Sequence, residues 1–241
     1  QKLVEESPAS GMSLHRRTAM ADAAVSIAKA VDYTNAGTVE FLVDESGDFY
    51  FLEMNTRLQV EHGVTEAVTG VDLVRWQLRI AQGERLDITA ENTLKPTGHA
   101  IECRVYAEDP DASFLPSPGR IRGLQLPSGP GIREDSCAVL GGEVPVFYDP
   151  LISKVVAWGA HRTHAIARMR RAMDEFRVQG IKTTIPFFQW LIRSRAFAEG
   201  AIDTTFVDAI LAERDGRAFT DPSSEAEEVA VIGVAAHAFL E

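Results

Sequence analysis

The sequence predicts an α+β fold, in which helices flank a mostly antiparallel sheet. Three observations support this prediction. Helical periodicity follows Ser13 and Asp72 and returns after Arg162, two strand patterns flank the short turn 45–48, and short strands separated by proline and glycine fill 99–158. The chain has 241 residues, 45% of them hydrophobic, which is enough to bury a substantial core.

Composition excludes several classes of function. A net charge of −11 argues against a nucleic-acid partner, because that binding depends on basic surface. No apolar stretch approaches the roughly 18–20 residues that span a bilayer. Two cysteines, Cys103 and Cys137, are too few for a disulfide framework and are typical of reduced, cytoplasmic surroundings. Because the sequence starts at Gln1 in what reads as the middle of a strand, we expect a piece of a longer polypeptide.

The first part of the sequence predicts two helices and a hairpin. Ser13 can cap a helix over 13–31, whose small apolar residues recur at helical spacing. Strands are predicted at 38–43 and 49–54, on either side of the turn 45–48. Asp72 can cap a helix over 73–82, which Gly83 can end.

The later part predicts the sheet and four more helices. Strand patterns occupy 100–107, 120–126 and 151–158. Helix patterns occupy 162–176, 185–194 and 203–213. The polar stretch 214–224 contains Asp-Pro and predicts a linker, and an apolar-rich helix is predicted over 225–241.

The hairpin carries two carboxylates that can face each other. If it closes on a four-residue turn at 45–48, Asp44 faces Phe49, Leu42 faces Phe51, and Glu40 faces Glu53. Opposed like charges destabilise a strand pair and invite a counter-charge, and Mg²⁺ is commonly held by one or two carboxylates plus phosphates. Asn55 would add a neutral oxygen ligand. A solvated sheet face, or a register shifted by one residue, is the alternative.

The run 51–62, Phe-Leu-Glu-Met-Asn-Thr-Arg-Leu-Gln-Val-Glu-His, places carboxylates, amides and a guanidinium directly after an apolar strand. Such a set suits a site for a metal, phosphates and a small anion better than a core. The run resembles the active-site signature of biotin carboxylases, which are ligases of the ATP-grasp superfamily. The resemblance covers about residues 1–210 and includes Gly-His-Ala-Ile-Glu-Cys-Arg at 98–104 and Tyr-Asp-Pro-Leu-Ile-Ser-Lys at 148–154.

The resemblance implies a domain arrangement and a reaction. Residues 1–97 would be the C-terminal part of an ATP-grasp domain, 98–213 the biotin carboxylase C-terminal domain, and 214–241 a linker and the start of a connector helix. The family carboxylates biotin with bicarbonate and ATP through carboxyphosphate, the first half-reaction of biotin-dependent carboxylases. An acyl-CoA carboxylase of the acetyl- or propionyl-CoA type is expected, and the chain alone is expected to be inactive.

The resemblance also implies roles for individual residues. Glu61, Arg57, Arg104 and Lys2 would be catalytic, with Glu61 as the base that deprotonates bicarbonate and Arg104 beside the biotin enolate. Bicarbonate and biotin would contact Arg57, Gln59, Val60 and Arg104. ATP would contact Lys2, Glu40, Leu42, Leu52 and Glu53, and Mg²⁺ or Mn²⁺ would bind Glu40, Glu53 and Asn55.

The implied partners are a biotin carboxyl carrier protein or domain, a carboxyltransferase subunit, and a second copy of the chain through the region around Arg133. Three alternatives stay open. They are a urea or pyruvate type of biotin-dependent carboxylase, another ATP-grasp ligase that does not depend on biotin, and a non-catalytic docking module. The last predicts that Glu61 and Arg57 can be replaced without effect on function.

Overall fold

The structure is a computed structural model that describes residues 2–89, 95–219 and 231–232. Its α-helices are α1 (Leu14–Ala30), α2 (His62–Thr69), α3 (Leu73–Ala81), α4 (Arg162–Glu175), α5 (Ile185–Leu191), α6 (Arg195–Glu199) and α7 (Phe206–Arg214). The first strands along the chain are β1 (Val4–Ser7), β2 (Thr38–Val43), β3 (Phe49–Asn55) and β4 (His99–Tyr106). Next come β5 (Glu108–Asp109), β6 (Leu115–Pro116), β7 (Gly119–Arg120), β8 (Gly123–Gln125), β9 (Ile132–Ser136), β10 (Glu143–Val144), β11 (Leu151–Gly159) and β12 (Arg177–Gln179). The predicted α+β class is confirmed.

A four-stranded antiparallel sheet in the order β1–β4–β11–β9 organises the molecule. One face packs against α4 and α5 around a core whose largest buried side chains include Phe176, Phe187, Phe188, Met169 and Met173. The other face carries Ala100 and Val156, which α2 covers with Val64 and Val68. Because side chains alternate along a strand, Glu102 and Arg104 of β4 share this second face.

The β2–β3 hairpin confirms one predicted pair and corrects two. Glu40 lies opposite Glu53, as predicted, but Leu42 lies opposite Tyr50 and Val43 opposite Phe49. The connection is therefore one residue longer than the predicted turn. A β-bulge at Leu52 then restores the predicted register, so that Glu40 faces Glu53, because two residues of β3 fill the space of one on β2.

Several element boundaries also differ from the prediction. The stretch 120–126 splits into β7 and β8, because the first pairs with β10 and the second with β12. The helix predicted over 185–194 ends at Leu191, and Ser194 caps the separate helix α6. Helix α2 and strand β9 were not predicted. The glycine and β-branched residues of α2 disfavour a helix, and the three consecutive charges of β9 disfavour a strand. Tertiary packing therefore determines the structure of both segments.

The C-terminal stretch is described in part. Phe219, in the segment predicted as a linker, stacks edge-on against Phe187 and Trp190, with ring centroids 5.4 and 5.6 Å away. The helix predicted over 225–241 lies outside the described residues, apart from Val231 and Ile232. Within the described ranges, no helix combines the length and the apolar character needed to cross a membrane.

Candidate active site

The hairpin brings its two carboxylates to a single amide. Glu40 on β2 and Glu53 on β3 are directly opposed, and the Nδ2 of Asn55 donates to Glu40 Oε1 at 3.1 Å and to Glu53 Oε1 at 2.8 Å. An N–H donor thus occupies the place where a counter-charge between the two carboxylates is needed. No cluster of three or more His, Cys, Asp or Glu suited to a metal occurs among the described residues. A cation here would therefore need Asn55 and additional oxygen ligands.

Lys2 connects this hairpin to Glu61. Its Nζ donates to Glu40 Oε1 at 3.0 Å and to Glu61 Oε1 at 2.7 Å. Burial opposes the charged ammonium, but the hydrogen bonds to Glu61 and Glu40 outweigh it and raise the pKa of Lys2. For Glu61, burial acts to raise the pKa, yet Lys2 and Arg104 lower it below its usual range. Glu61 is therefore a carboxylate at neutral pH.

Arg104 approaches Glu61 from the sheet. Its Nη2 donates to Glu61 Oε2 at 2.8 Å and lies 2.5 Å from Glu5 Oε1. The strands explain this meeting, because Glu5 of β1 pairs with Glu102 of β4, and Arg104 is the next residue on the same face. Glu61 immediately precedes α2, and its side chain makes no capping bond to that helix, which leaves both oxygens for Lys2 and Arg104.

The segment between β3 and α2 adds a guanidinium and an amide. Arg57 donates from Nη2 to Asn55 Oδ1 at 3.3 Å and from Nη1 to Gln59 Oε1 at 3.2 Å. The buried Gln59 in turn donates to Glu40 Oε1 at 3.0 Å. Lys154 of β11 donates to the Val60 carbonyl at 2.9 Å and so fixes the backbone beside Glu61.

Glu102 lies beneath this cluster and is fully buried. Neither of its oxygens has a hydrogen-bond donor in the part of the chain that the structure describes. Burial first, and then the neighbouring charge of Glu5, raise the pKa of Glu102 to about 8. The site therefore rests on a carboxyl that is largely protonated at neutral pH.

All eight polar side chains predicted for the site belong to one connected network: Lys2, Glu40, Glu53, Asn55, Arg57, Gln59, Glu61 and Arg104. Leu42 and Leu52 lie on the hairpin outside this network, 54% and 51% exposed. Three members of the surroundings were not predicted, namely Glu5, Glu102 and Lys154. Their strand positions were visible in the sequence, but their convergence depends on which strands pair.

Comparison with known proteins matches two consecutive parts of the chain to known families. The family described as "Biotin carboxylase C-terminal domain" matches residues 102–209, and "Carbamoyl-phosphate synthase L chain, ATP binding domain" matches residues 1–89. A biotin carboxylase of Nostoc sp. is 52% identical over 207 residues, covering 86% of this chain and 46% of the relative. This chain belongs to the biotin carboxylase family.

Two further relatives extend the comparison within the family. A pyruvate carboxylase subunit of Methanothermobacter thermautotrophicus is 52% identical over 208 residues, covering 86% of this chain and 42% of that protein. The biotin carboxylase domain dimer of Hydrogenobacter thermophilus 2-oxoglutarate carboxylase, solved with MgADP, ADP and bicarbonate, superposes with a TM-score of 0.86 at 41% identity. That match covers 93% of this chain and 48% of the solved chain. The chain thus spans slightly less than half the length of these relatives.

Proposed function

We propose that this chain supplies the metal- and bicarbonate-binding part of a biotin carboxylase, which carboxylates biotin on a carrier protein with ATP and bicarbonate. The observation that carries the proposal is Glu61 held between Lys2 at 2.7 Å and Arg104 at 2.8 Å, in a network that also holds Arg57 and Gln59. A carboxylate base, flanked by cations and amides, is what the activation of a small anion requires.

The first step is attack of a bicarbonate oxygen on the γ-phosphorus of ATP. The Arg57 guanidinium and the Gln59 amide hold the planar anion, and the Val60 backbone, fixed by Lys154, borders it. Glu61 accepts the bicarbonate proton as the new O–P bond forms and ADP leaves. Lys2 offsets the phosphate charge. Carboxyphosphate then breaks into CO₂ and phosphate. The phosphate takes the ureido proton of biotin, Arg104 stabilises the resulting enolate oxygen, and the ureido nitrogen attacks CO₂ to form carboxybiotin.

Glu40, Glu53 and Asn55 fit a divalent cation. Their oxygens converge from opposed strands, and rotation of the Asn55 amide would exchange its donor for an acceptor. Bound Mg²⁺ or Mn²⁺ neutralises charge on the phosphates of ATP. The exposed apolar side chains of Leu42 and Leu52 offer a surface for the nucleotide base. The solved relative with MgADP and bicarbonate supports this assignment.

The partners follow from the same reaction. Biotin arrives on a carrier protein or domain, and carboxybiotin is consumed by a carboxyltransferase. The relatives include part of a pyruvate carboxylase, so the half-reaction is proposed without a single acceptor, and the acyl-CoA type is the sequence-based preference. The dimeric state of the solved relative supports a homodimer. The region around Arg133 is the proposed interface, and the cytoplasm is the proposed compartment.

The test joins this chain to the N-terminal half of the Nostoc relative and measures ATP cleavage in bicarbonate, with and without biotin. We expect biotin-stimulated cleavage, and Glu61→Gln should lower kcat by about 100- to 10,000-fold through loss of the base. Glu143→Gln, an exposed carboxylate distant in sequence from the network, is the matched control. Cleavage indifferent to biotin would favour another ATP-grasp ligase, and full activity in Glu61→Gln would refute the base assignment.

A further inference from the structure

One nitrogen of Arg104 serves two carboxylates. Nη2 lies 2.5 Å from Glu5 Oε1 and 2.8 Å from Glu61 Oε2, and all three side chains are largely shielded, at 9%, 11% and 21% exposed. Glu5 Oε1 accepts no hydrogen bond from the described residues, so its contact with Arg104 is an ion pair, and opposite charges this close in a shielded place attract strongly. Losing one of the two carboxylate charges would leave the guanidinium with a single anionic partner.

The two carboxylates differ in what happens to them during the proposed reaction. Glu61 accepts a proton from bicarbonate, and its attraction for Arg104 weakens at that moment. Glu5 has no proton to accept from a substrate in this scheme. Its backbone is fixed in β1, where Val4 pairs with Cys103 and Glu5 with Glu102, so its carboxylate stays beside Arg104.

We propose that Glu5 is a positioning residue that retains the Arg104 guanidinium in place while Glu61 carries the bicarbonate proton. The inference rests on the proposed function for the role of Glu61 and deepens it. Without Glu5, Arg104 would be released just when its charge is needed beside the biotin enolate. Glu5 touches neither substrate nor reacting atoms in this scheme, and it acts through Arg104.

The charged groups around Glu5 come from several parts of the chain. Glu102 and Arg104 face it from β4, Glu61 precedes α2, and Lys2 lies three residues before it. Lys154 stands across from Arg104 on β11. Burial raises the pKa of Glu5, and the charge of Arg104 offsets part of that effect. A titration would therefore change several groups together, so the test uses substitutions at constant pH.

The decisive experiment observes the Arg104 guanidinium of this chain by ¹⁵N NMR at pH 7.5. Glu61→Gln mimics the protonated base, since glutamine is uncharged and has nearly the same shape. We expect restricted rotation of the guanidinium in the wild type and in Glu61→Gln, and free rotation in the double variant Glu5→Gln/Glu61→Gln. The ¹³C shift of the Glu5 carboxyl in Glu61→Gln should report a charged carboxylate.

The matched control is Glu6→Gln/Glu61→Gln, because Glu6 is the next residue on β1, faces the other side and pairs with His99 and Arg162. Rotation of the Arg104 guanidinium should stay restricted in this control. Release of Arg104 in Glu61→Gln alone would overturn the inference, as would retention in the Glu5→Gln/Glu61→Gln double variant. These readouts need no activity, so an inactive wild-type hybrid enzyme would refute the proposed function without changing this result.

Discussion

Replacing Glu102 by glutamine should change how the stability of this protein depends on pH. Glu102 is fully buried on β4, opposite Glu5, and its Oε2 would lie 2.9 Å from a Cβ placed on Gly63 of α2. No described residue donates a hydrogen bond to it. Burial and the charge of Glu5 raise its pKa from 4.5 to about 8.

The sign of the effect follows from proton uptake. Between pH 4.5 and 8 the folded chain holds the Glu102 proton and the unfolded chain has lost it, so this group makes stability fall as pH rises. The stabilisation that protonated Glu102 gives the folded state is fully present below pH 4.5 and is lost as pH rises through about 8. At about 1.4 kcal/mol for each pKa unit, the shift from 4.5 to about 8 corresponds to at most about 5 kcal/mol in the free energy of unfolding.

The assay is urea unfolding at pH 5, 6, 7 and 8, followed by circular dichroism, for the wild type and Glu102→Gln. Glutamine keeps the shape of the protonated carboxyl and cannot ionise, so the stability of the variant relative to wild type should rise across this range by several kcal/mol. A buried amide without partners adds a cost of its own, but that cost does not vary with pH.

The exposed Glu143→Gln variant is the control, and its curve should run parallel to that of the wild type. Parallel curves for Glu102→Gln, within about 0.5 kcal/mol from pH 5 to 8, would refute the reasoning. Glu102 would then be ionised in the folded protein, held by a donor or a rearrangement that the described contacts do not contain.

Two further substitutions test the surroundings of the site. Lys154→Met removes the donor to the Val60 carbonyl. In the hybrid enzyme we expect KM for bicarbonate to rise about 10-fold or more, with little change in KM for ATP. An unchanged KM for bicarbonate would show that the Val60 backbone keeps its position without Lys154. Gly63→Ala places a Cβ 2.9 Å from Glu102 Oε2 and 3.1 Å from Val156 Cγ2. The free energy of unfolding, measured in urea, should therefore fall by about 1–3 kcal/mol, although alanine has the higher helix propensity. Thr65→Ala, on the exposed side of α2, should cost much less, and equal losses would contradict the packing argument.

Much of the candidate site could be predicted from the sequence because its residues are close in the chain. Six of the eight polar members lie between Glu40 and Glu61, and the hairpin that positions them depends on local strand patterns and a turn. The opposition of Glu40 and Glu53 was predicted correctly, although the turn length was wrong, because the bulge at Leu52 compensated for it. Local patterns give the strands but do not reveal a bulge.

Elements with weak local preferences were missed for a different reason. Helix α2 contains Gly63 and β-branched residues, and β9 contains Arg133, Glu134 and Asp135 in a row. Neither pattern favours its observed structure. Packing of Val64 and Val68 on the sheet stabilises α2, and pairing with β11 stabilises β9.

The sequence by itself determined the family, the α+β class and the types of residue that form the site, because a run of specific side chains after one strand carries that information. Only the tertiary structure decided what surrounds Glu61. Pairing of β1 with β4 brings Glu5 to Arg104, 99 positions along the chain, and pairing of β4 with β11 brings Lys154 beside the same segment. Burial then determines the protonation of Glu102. These are consequences of long-range strand pairing and of desolvation, which no local pattern encodes.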